Sequence, residues 1–364
     1  MAKRIPIAKP IISKREIDAV TRVLKSGLLV AGEKVKEFQK RFAKYLGAKY
    51  AIATSNGTTA LHAALWGLDI SEGDEVITTS FSFVASSNAI LFVGGKPVFV
   101  DIDPKTFNID PEKIEDKITD RTKALLIVHL YGQPCDMKRI MKICREYGLL
   151  LIEDCAQAHG AEYKGRKVGT FGDVAIFSFY ATKNMTTGEG GMVIAKKKSV
   201  AEKIRMIVDQ GQKTKYNHVI LGHNFRMTEI QAAIGVEQLK KLDEWNDKRI
   251  KNARFLTERL RDIKEVKTPF VLSGVKHVYH QYVIKCKRRN QLRKYLSKMG
   301  IETAIHYPKP IYRQPLYQKL GYKNLRLKEV ERVVREVLSL PIHPSVTRKD
   351  LEFIADGIKK FMKN

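Results

Sequence analysis

Seven short apolar runs punctuate the first 195 residues: Tyr50 to Thr54, Glu75 to Thr78, Pro97 to Val100, Ala124 to Val128, Gly148 to Asp154, Val174 to Phe177 and Met192 to Ala195. Each is short enough for a strand, and several carry apolar residues at consecutive positions, which suits burial on both faces of a sheet. Between them lie stretches with helical spacing. Ser13, followed three residues later by Glu16, forms a capping box ahead of Ile17, Val20, Val23 and Leu24, and Ser26-Gly27 ends that helix. Further helices are predicted over Lys34 to Leu46, through Ala60, Leu61, Ala64 and Leu65, after Asp110-Pro111, and over Met137 to Tyr147. Strands alternating with helices predict an α/β fold with a mostly parallel sheet, whose ligand lies beyond the carboxyl ends of the strands. Thr58, Phe83, Asp154 and Ser178 all fall at such ends.

The second half changes character. Helices are predicted over 199–209, from Thr228, as its cap, to Lys241, and from about Trp245 onward. Then come a strand over Val278 to Cys286, a helix over Gln291 to Met299, the segment Ile301 to Ile305, and helices over Glu329 to Leu338 and Lys349 to Phe361. This reads as an N-terminal arm and helix (1–30), a large domain (31–243) and a smaller α+β domain (244–364). The first dozen residues are expected to be extended, because Pro6 and Pro10 block a helix.

Charge modifies this picture only slightly. The chain has 364 residues and a net charge of +27, a surplus that favours anionic ligands and raises nucleic-acid binding as a possibility. The basic residues are spread along the whole length among Glu and Asp, and no helix-turn-helix, zinc-finger or RNP pattern accompanies them. Cys135, Cys144, Cys155 and Cys286 lack metal-ligand spacing and are too few for a disulfide framework, which points to a reducing compartment. No run reaches transmembrane length and no signal-like apolar region opens the chain, so a cytoplasmic protein without a membrane partner is expected.

The chemistry concentrates between the last two apolar runs. Phe177 to Met192 places Lys183 among hydroxyls and glycines in the link between two buried strands. A lysine so placed can lose its charge and attack an aldehyde such as that of pyridoxal phosphate; it can equally be one solvated lysine among many. Asp154, at the end of a buried strand, is suited to a protonated pyridine nitrogen, or to a helix cap. Ser55-Asn56-Gly57-Thr58-Thr59, between a strand and a helix, offers backbone N–H groups, hydroxyls and a positive helix end to a phosphate, although such residues also cap helices that bind nothing. Phe83 can cover the face of a ring or be core. The apolar loop from Gly27 to Gly32 suits packing or a substrate. The loop from His306 to Pro315 suits an anionic substrate or a proline-stiffened connection.

Taken together, Ser55 to Leu61, Ser82 to Ser86, Ile152 to Ala158, Phe177 to Phe179, Thr182 to Asn184, Gly188 to Gly191 and Asn224 to Ala233 resemble the DegT/DnrJ/EryC1/StrS sugar aminotransferases across essentially the whole chain. The resemblance implies the three-layer fold of type I pyridoxal-phosphate transferases, pyridoxal 5'-phosphate as cofactor, no metal, and a homodimer with shared sites. Lys183 would bond to the cofactor aldehyde and then act as general acid and base, and Asp154 would pair with the ring nitrogen. Phe83 would stack on the ring and Gln157 would meet its 3-hydroxyl side. Gly57, Thr58 and Ser178 would hold the phosphate, with Asn224 reaching the phosphate of the neighbouring subunit. Leu29 and the loop from His306 to Arg313 would meet a nucleotide-sugar, with Lys309 and Arg313 for its diphosphate; Tyr312 departs from the His common at that position. The implied reaction is transamination of a nucleotide-linked ketosugar with glutamate as amino donor. Lysine rather than histidine at 183 separates the chain from the dehydratases of that family. The Thr-Thr-Gly-Glu-Gly-Gly run after it resembles enzymes acting at C4 of a UDP- or dTDP-linked 4-keto-6-deoxy sugar. The alternatives are C3 amination, a cyclitol substrate or a regulatory protein of the same fold, and, more distantly, a basic nucleic-acid-binding protein.

Overall fold

The structure, a computed structural model, describes residues 4–363, so the first three residues of the expected arm lie outside the described residues. The seven apolar runs become one sheet: β1 (Tyr50–Thr54), β2 (Glu75–Thr79), β3 (Lys96–Val100), β4 (Thr122–Val128), β5 (Leu150–Asp154), β6 (Val174–Ser178) and β7 (Gly191–Ala195). Their order is β1-β7-β6-β5-β4-β2-β3. β7 runs antiparallel to both neighbours and all other neighbouring pairs are parallel.

Helices α1 (Lys14–Ser26), α2 (Glu33–Leu46), α3 (Gly57–Gly67), α4 (Ala85–Phe92), α5 (Met137–Glu146), α6 (Lys198–Val208) and α7 (Glu229–Leu239) surround it. Alternate strand positions feed opposite layers. Val76 joins the core under α3 and α6, while Ile77, one residue on, packs against α5. Near β6 and β7 the second face is covered by Phe38 and Phe42 of α2 and Val236 of α7. This makes a three-layer α/β fold with helices on both faces, as strands buried on two sides require. The predicted caps form: the Glu16 carboxylate accepts the Ser13 N–H at 2.9 Å, and Thr228 and Gln231 make a reciprocal capping box.

A second core gathers α8 (Leu242–Leu260), β8 (Val266–Lys267), β9 (Tyr282–Cys286), α9 (Arg289–Lys298), β10 (Val337–Leu340) and the C-terminal helix, which runs over Arg348–Lys363. The three strands form an antiparallel sheet in the order β8-β9-β10. Between α9 and β10 the chain returns to the large sheet, where Tyr312, Tyr317 and Val330 share a core with Phe99 and Ile102.

Four local differences from the sequence reading have physical causes. Pro111–Lys113 and Glu115–Lys117 form two 3₁₀ turns instead of a helix, because the chain is already extended at Ile118 on its way to β4. The strand expected from Val278 begins at Tyr282, since Tyr279 has a φ of 45° and breaks the extended run. Ile301 to Ile305 contributes only isolated bridges, through Ile301 and Ala304. Val337 and Leu338 are strand rather than helix, pairing with Lys285 and Ile284. Among the described residues no helix is long and apolar enough to cross a membrane.

Candidate active site

The C-terminal ends of β5 and β6 and the first turns of α3 and α4 open onto a cavity of about 700 Å³. Asp154 reaches it because side chains alternate along β5. Its neighbour Glu153 points the other way, where it accepts N–H groups from Gly169, Phe171 and Gly172 at 2.8, 2.8 and 2.7 Å and meets His129 at 3.1 Å. Burial pushes the Glu153 carboxyl up, but His129 and those donors outweigh it and leave it below its ordinary value. Glu153, His129 and Cys155 lie close enough for a metal. However, the Glu153 oxygens are already engaged and the His129 Nδ1 accepts the Cys135 N–H, which gives this group a structural role.

Asp154 is buried and held at both oxygens, by the Ser86 hydroxyl at 2.8 Å and by the Ala156 N–H at 3.0 Å. Burial raises its pKa, partly opposed by those two donors and by the Lys183 charge. Lys183 follows β6 in a tight turn, its N–H bonded to the Tyr180 carbonyl at 2.9 Å. Its amine is pushed down to about 8 by loss of solvent, against the pull of Asp154. A lysine about one-tenth neutral at pH 7 and half-neutral at pH 8, facing a buried carboxylate, is a nucleophile paired with a cation site.

At the phosphate-like end, Asn56 caps α3 by accepting the Thr59 N–H at 2.9 Å, and Gly57 and Thr58 in the same turn line the cavity with Ser178. The glycine is required: a Cβ at position 57 would stand 2.7 Å from the Ser178 Cβ. Gln157 is oriented by the Tyr131 N–H, which donates to its Oε1 at 2.8 Å, and its Nε2 donates to the Tyr307 hydroxyl at 3.1 Å. Phe83 is 57% exposed and stands over the cavity, 6.2 Å from Tyr307 between ring centroids. His306 also lines the cavity, with its Nδ1 2.9 Å from the Ser339 hydroxyl. Its pKa is pushed down to about 4, by burial first and by the Lys183 charge second.

The structure thus brings together Gly57, Thr58, Phe83, Asp154, Gln157, Ser178, Lys183 and His306. It does not bring the other predicted residues to the cavity wall. Tyr312 is fully buried in the large core and its hydroxyl donates to Glu331 at 2.9 Å. Arg313 pairs with the same carboxylate at 2.6 Å. Lys309, Leu29 and Asn224 are exposed on the surface of the single chain. Sequence reasoning missed Ser86 and His280, and it covered Tyr307 only as part of the loop from His306 to Arg313. Ser86 sits inside the stretch Ser82 to Ser86, but nothing local shows that it meets Asp154 from the first turn of α4. His280-Gln281 interrupts the apolar approach to β9, a faint signal for a cavity wall.

The DegT/DnrJ/EryC1/StrS aminotransferase family matches residues 10–359. The chain belongs to that family. It is 43% identical to a pleiotropic regulatory protein of Geobacillus stearothermophilus over 94% of this chain and 93% of the relative. It is 41% identical to the dTDP-3-amino-3,6-dideoxy-alpha-D-galactopyranose transaminase of Aneurinibacillus thermoaerophilus, over 94% of each. Among solved structures, DesV of S. venezuelae in complex with a ketimine intermediate superposes with a TM-score of 0.94 at 37% identity, covering 96% of this chain and 94% of that one.

The chain is therefore a pyridoxal-phosphate-dependent sugar aminotransferase. Its own residues fit the cofactor. A buried carboxylate stands where a pyridinium needs a counter-charge, an amine of lowered pKa is available to the aldehyde, and a glycine that admits no Cβ opens the first turn of a helix to the phosphate.

Proposed function

We propose that this sugar aminotransferase aminates a nucleotide-linked ketosugar, a UDP- or dTDP-linked 4-keto-6-deoxy sugar, at C4, with glutamate as the donor. The observation that carries this reading is the shared cavity of Lys183 and Asp154, into which Glu189 of the Thr186-Thr187-Gly188-Glu189-Gly190-Gly191 run also projects. When bound, pyridoxal phosphate supplies the carbonyl that takes up the amino group and a ring that withdraws electrons from the reacting carbon. Asp154, fixed by Ser86 and Ala156, would set a carboxylate against the ring nitrogen. Lys183 would take up and give back the proton that the reaction moves, and a pKa of about 8 suits its amine to both. Gln157 and Phe83 would meet the ring of the cofactor, and Gly57, Thr58 and Ser178 would hold its phosphate.

Two subunits would share each site in this reading. Leu28, Leu29, Val30, Tyr216, Leu221 and Asn224 are exposed, and the Val30–Thr228 bridge ties the segment of Leu28 to Val30 to the one that follows Asn224. An exposed apolar surface of this kind suits a second copy of the chain. Four unpaired, buried cysteines favour the cytoplasm. Amination at C3 is the second reading, favoured by the relative named for a 3-amino sugar. Purified enzyme offered 4-keto and 3-keto nucleotide-sugars with glutamate decides between them. Turnover of the 4-keto compound is expected, and turnover of the 3-keto compound alone overturns the C4 assignment.

A further inference from the structure

His280 lines the same cavity as Lys183, and the polar groups behind it determine which of its ring nitrogens carries the proton. Two backbone carbonyls, which can only accept, orient this network. The His159 carbonyl lies 2.8 Å from the Asn246 amide, so Asn246 turns its Nδ2 there and its Oδ1 toward Asn184. Asn184 answers with its own Nδ2, which donates to Asn246 at 2.8 Å and to the Val278 carbonyl at 3.1 Å. That leaves the Asn184 Oδ1, an acceptor, 3.2 Å from the His280 Nδ1. A neutral imidazole meeting an acceptor at Nδ1 must hold its hydrogen there, and its Nε2 is then a bare acceptor.

Among the described residues that Nε2 has no hydrogen-bond partner, and it is not sealed from solvent as both ring nitrogens of His159 are. The backbone is fixed as well, because the buried Arg249 donates to the carbonyls of Tyr279 and His280 at 3.2 and 3.4 Å. Burial first, then the positive charges of Lys183 and Arg249, hold the ring well below the usual histidine range and therefore neutral. The same charges disfavour an ammonium group at this point and leave a neutral O–H as the suitable donor.

We propose that His280 is a specificity-determining residue whose bare Nε2 accepts a hydrogen bond from a hydroxyl of the ketosugar, with Asn184 and Asn246 fixing its tautomer. The proposal rests on the ketosugar reading above and extends it to one contact. The test uses the holoenzyme and separates the two half-reactions. His280→Asn keeps an N–H for Asn184 and takes the acceptor away from the Nε2 position, because the shorter amide carries its remaining oxygen nearer the backbone. Its loss in kcat/KM for the ketosugar half-reaction is expected to exceed its loss for the glutamate half-reaction at least tenfold. A ketosugar lacking the bonded hydroxyl should cost the wild type a similar factor and the variant little more. Equal losses in both half-reactions, or a variant that still discriminates against every deoxy analogue, would overturn the proposal. Nitrogen-15 spectra of histidine-labelled wild-type holoenzyme provide a check that needs neither the variant nor a substrate. A proton on Nδ1 with Nε2 unprotonated across pH 6 to 8 is expected, and an Nε2–H ring overturns the proposal even if ketosugar turnover is normal. Absence of turnover with every nucleotide-ketosugar, beside an Nδ1–H ring, would instead defeat the ketosugar reading and with it the assigned donor.

Discussion

Asp154 and Arg313 are both charged residues at the end of an ordered element, and both are predicted to meet a ligand of opposite charge. Their surroundings differ. Asp154 is buried with two neutral donors and a lysine nearby, and its raised pKa shows a carboxylate whose charge the chain leaves under-compensated. Arg313 has its counter-charge already in Glu331, which Tyr312 also engages. The floor of the cavity, built from strand ends, keeps its charges open for a cofactor. In the loop from Lys309 to Arg313, the two residues nearest its end are instead drawn into an internal pair. A charge that lacks an internal partner in a buried place is better evidence of a binding site than a charge of the right sign in a suggestive loop.

Substitutions on the floor should therefore be severe and those in the loop slight. Lys183→Ala should lower transamination by about 10⁴-fold, since it removes both the covalent anchor and the group that moves the proton; turnover of glutamate and ketosugar measures it. Asp154→Asn should cost on the order of 10²–10³-fold, the equivalent of about 3–4 kcal/mol for stripping the partner from a buried charge. Its protein should still fold, as circular dichroism would show. Gly57→Ala brings a Cβ to 2.7 Å from that of Ser178, and a roughly tenfold rise in the dissociation constant of pyridoxal phosphate is expected from titration of the apoenzyme.

The lowered Lys183 pKa has a pH signature. Only the neutral amine attacks an aldehyde, and the neutral fraction grows as pH rises through about 8. The rate of cofactor capture by apoenzyme should increase roughly fivefold from pH 7 to 8 and level off above that, instead of climbing toward an ordinary lysine value. In the loop, Arg313→Ala should leave the KM for nucleotide-sugar within about twofold and cost below about 1 kcal/mol of stability, as a partly exposed ion pair does. A tenfold rise in KM would erase the contrast between floor and loop.

The same contrast explains what could be read from sequence. Residues whose role depends on their own strand or turn were legible: Lys183 between two apolar runs, Asp154 at the end of one, and Gly57-Thr58 opening a helix. Register does the rest, since β5 and β6 are parallel neighbours that align Asp154 with Ile176, two residues before Ser178. Residues whose role depends on a distant partner were not legible. Nothing around Tyr312 or Arg313 indicates that Glu331 will claim them, nothing around Ser86 points to Asp154, and nothing around His280 points to Asn184, almost a hundred residues earlier. The helix expected after Asp110-Pro111 failed for a related reason, because the geometry of the return to β4 overrode local propensity.

The most direct measurement of the central claim is to incubate the purified protein with pyridoxal phosphate, reduce it with borohydride, and map the modified peptide by mass spectrometry, with and without prior glutamate. The account predicts one reduced cofactor fixed on Lys183, and its disappearance when glutamate has first converted the cofactor to the amine form. A label on another lysine, or a Lys183 label indifferent to glutamate, would contradict it.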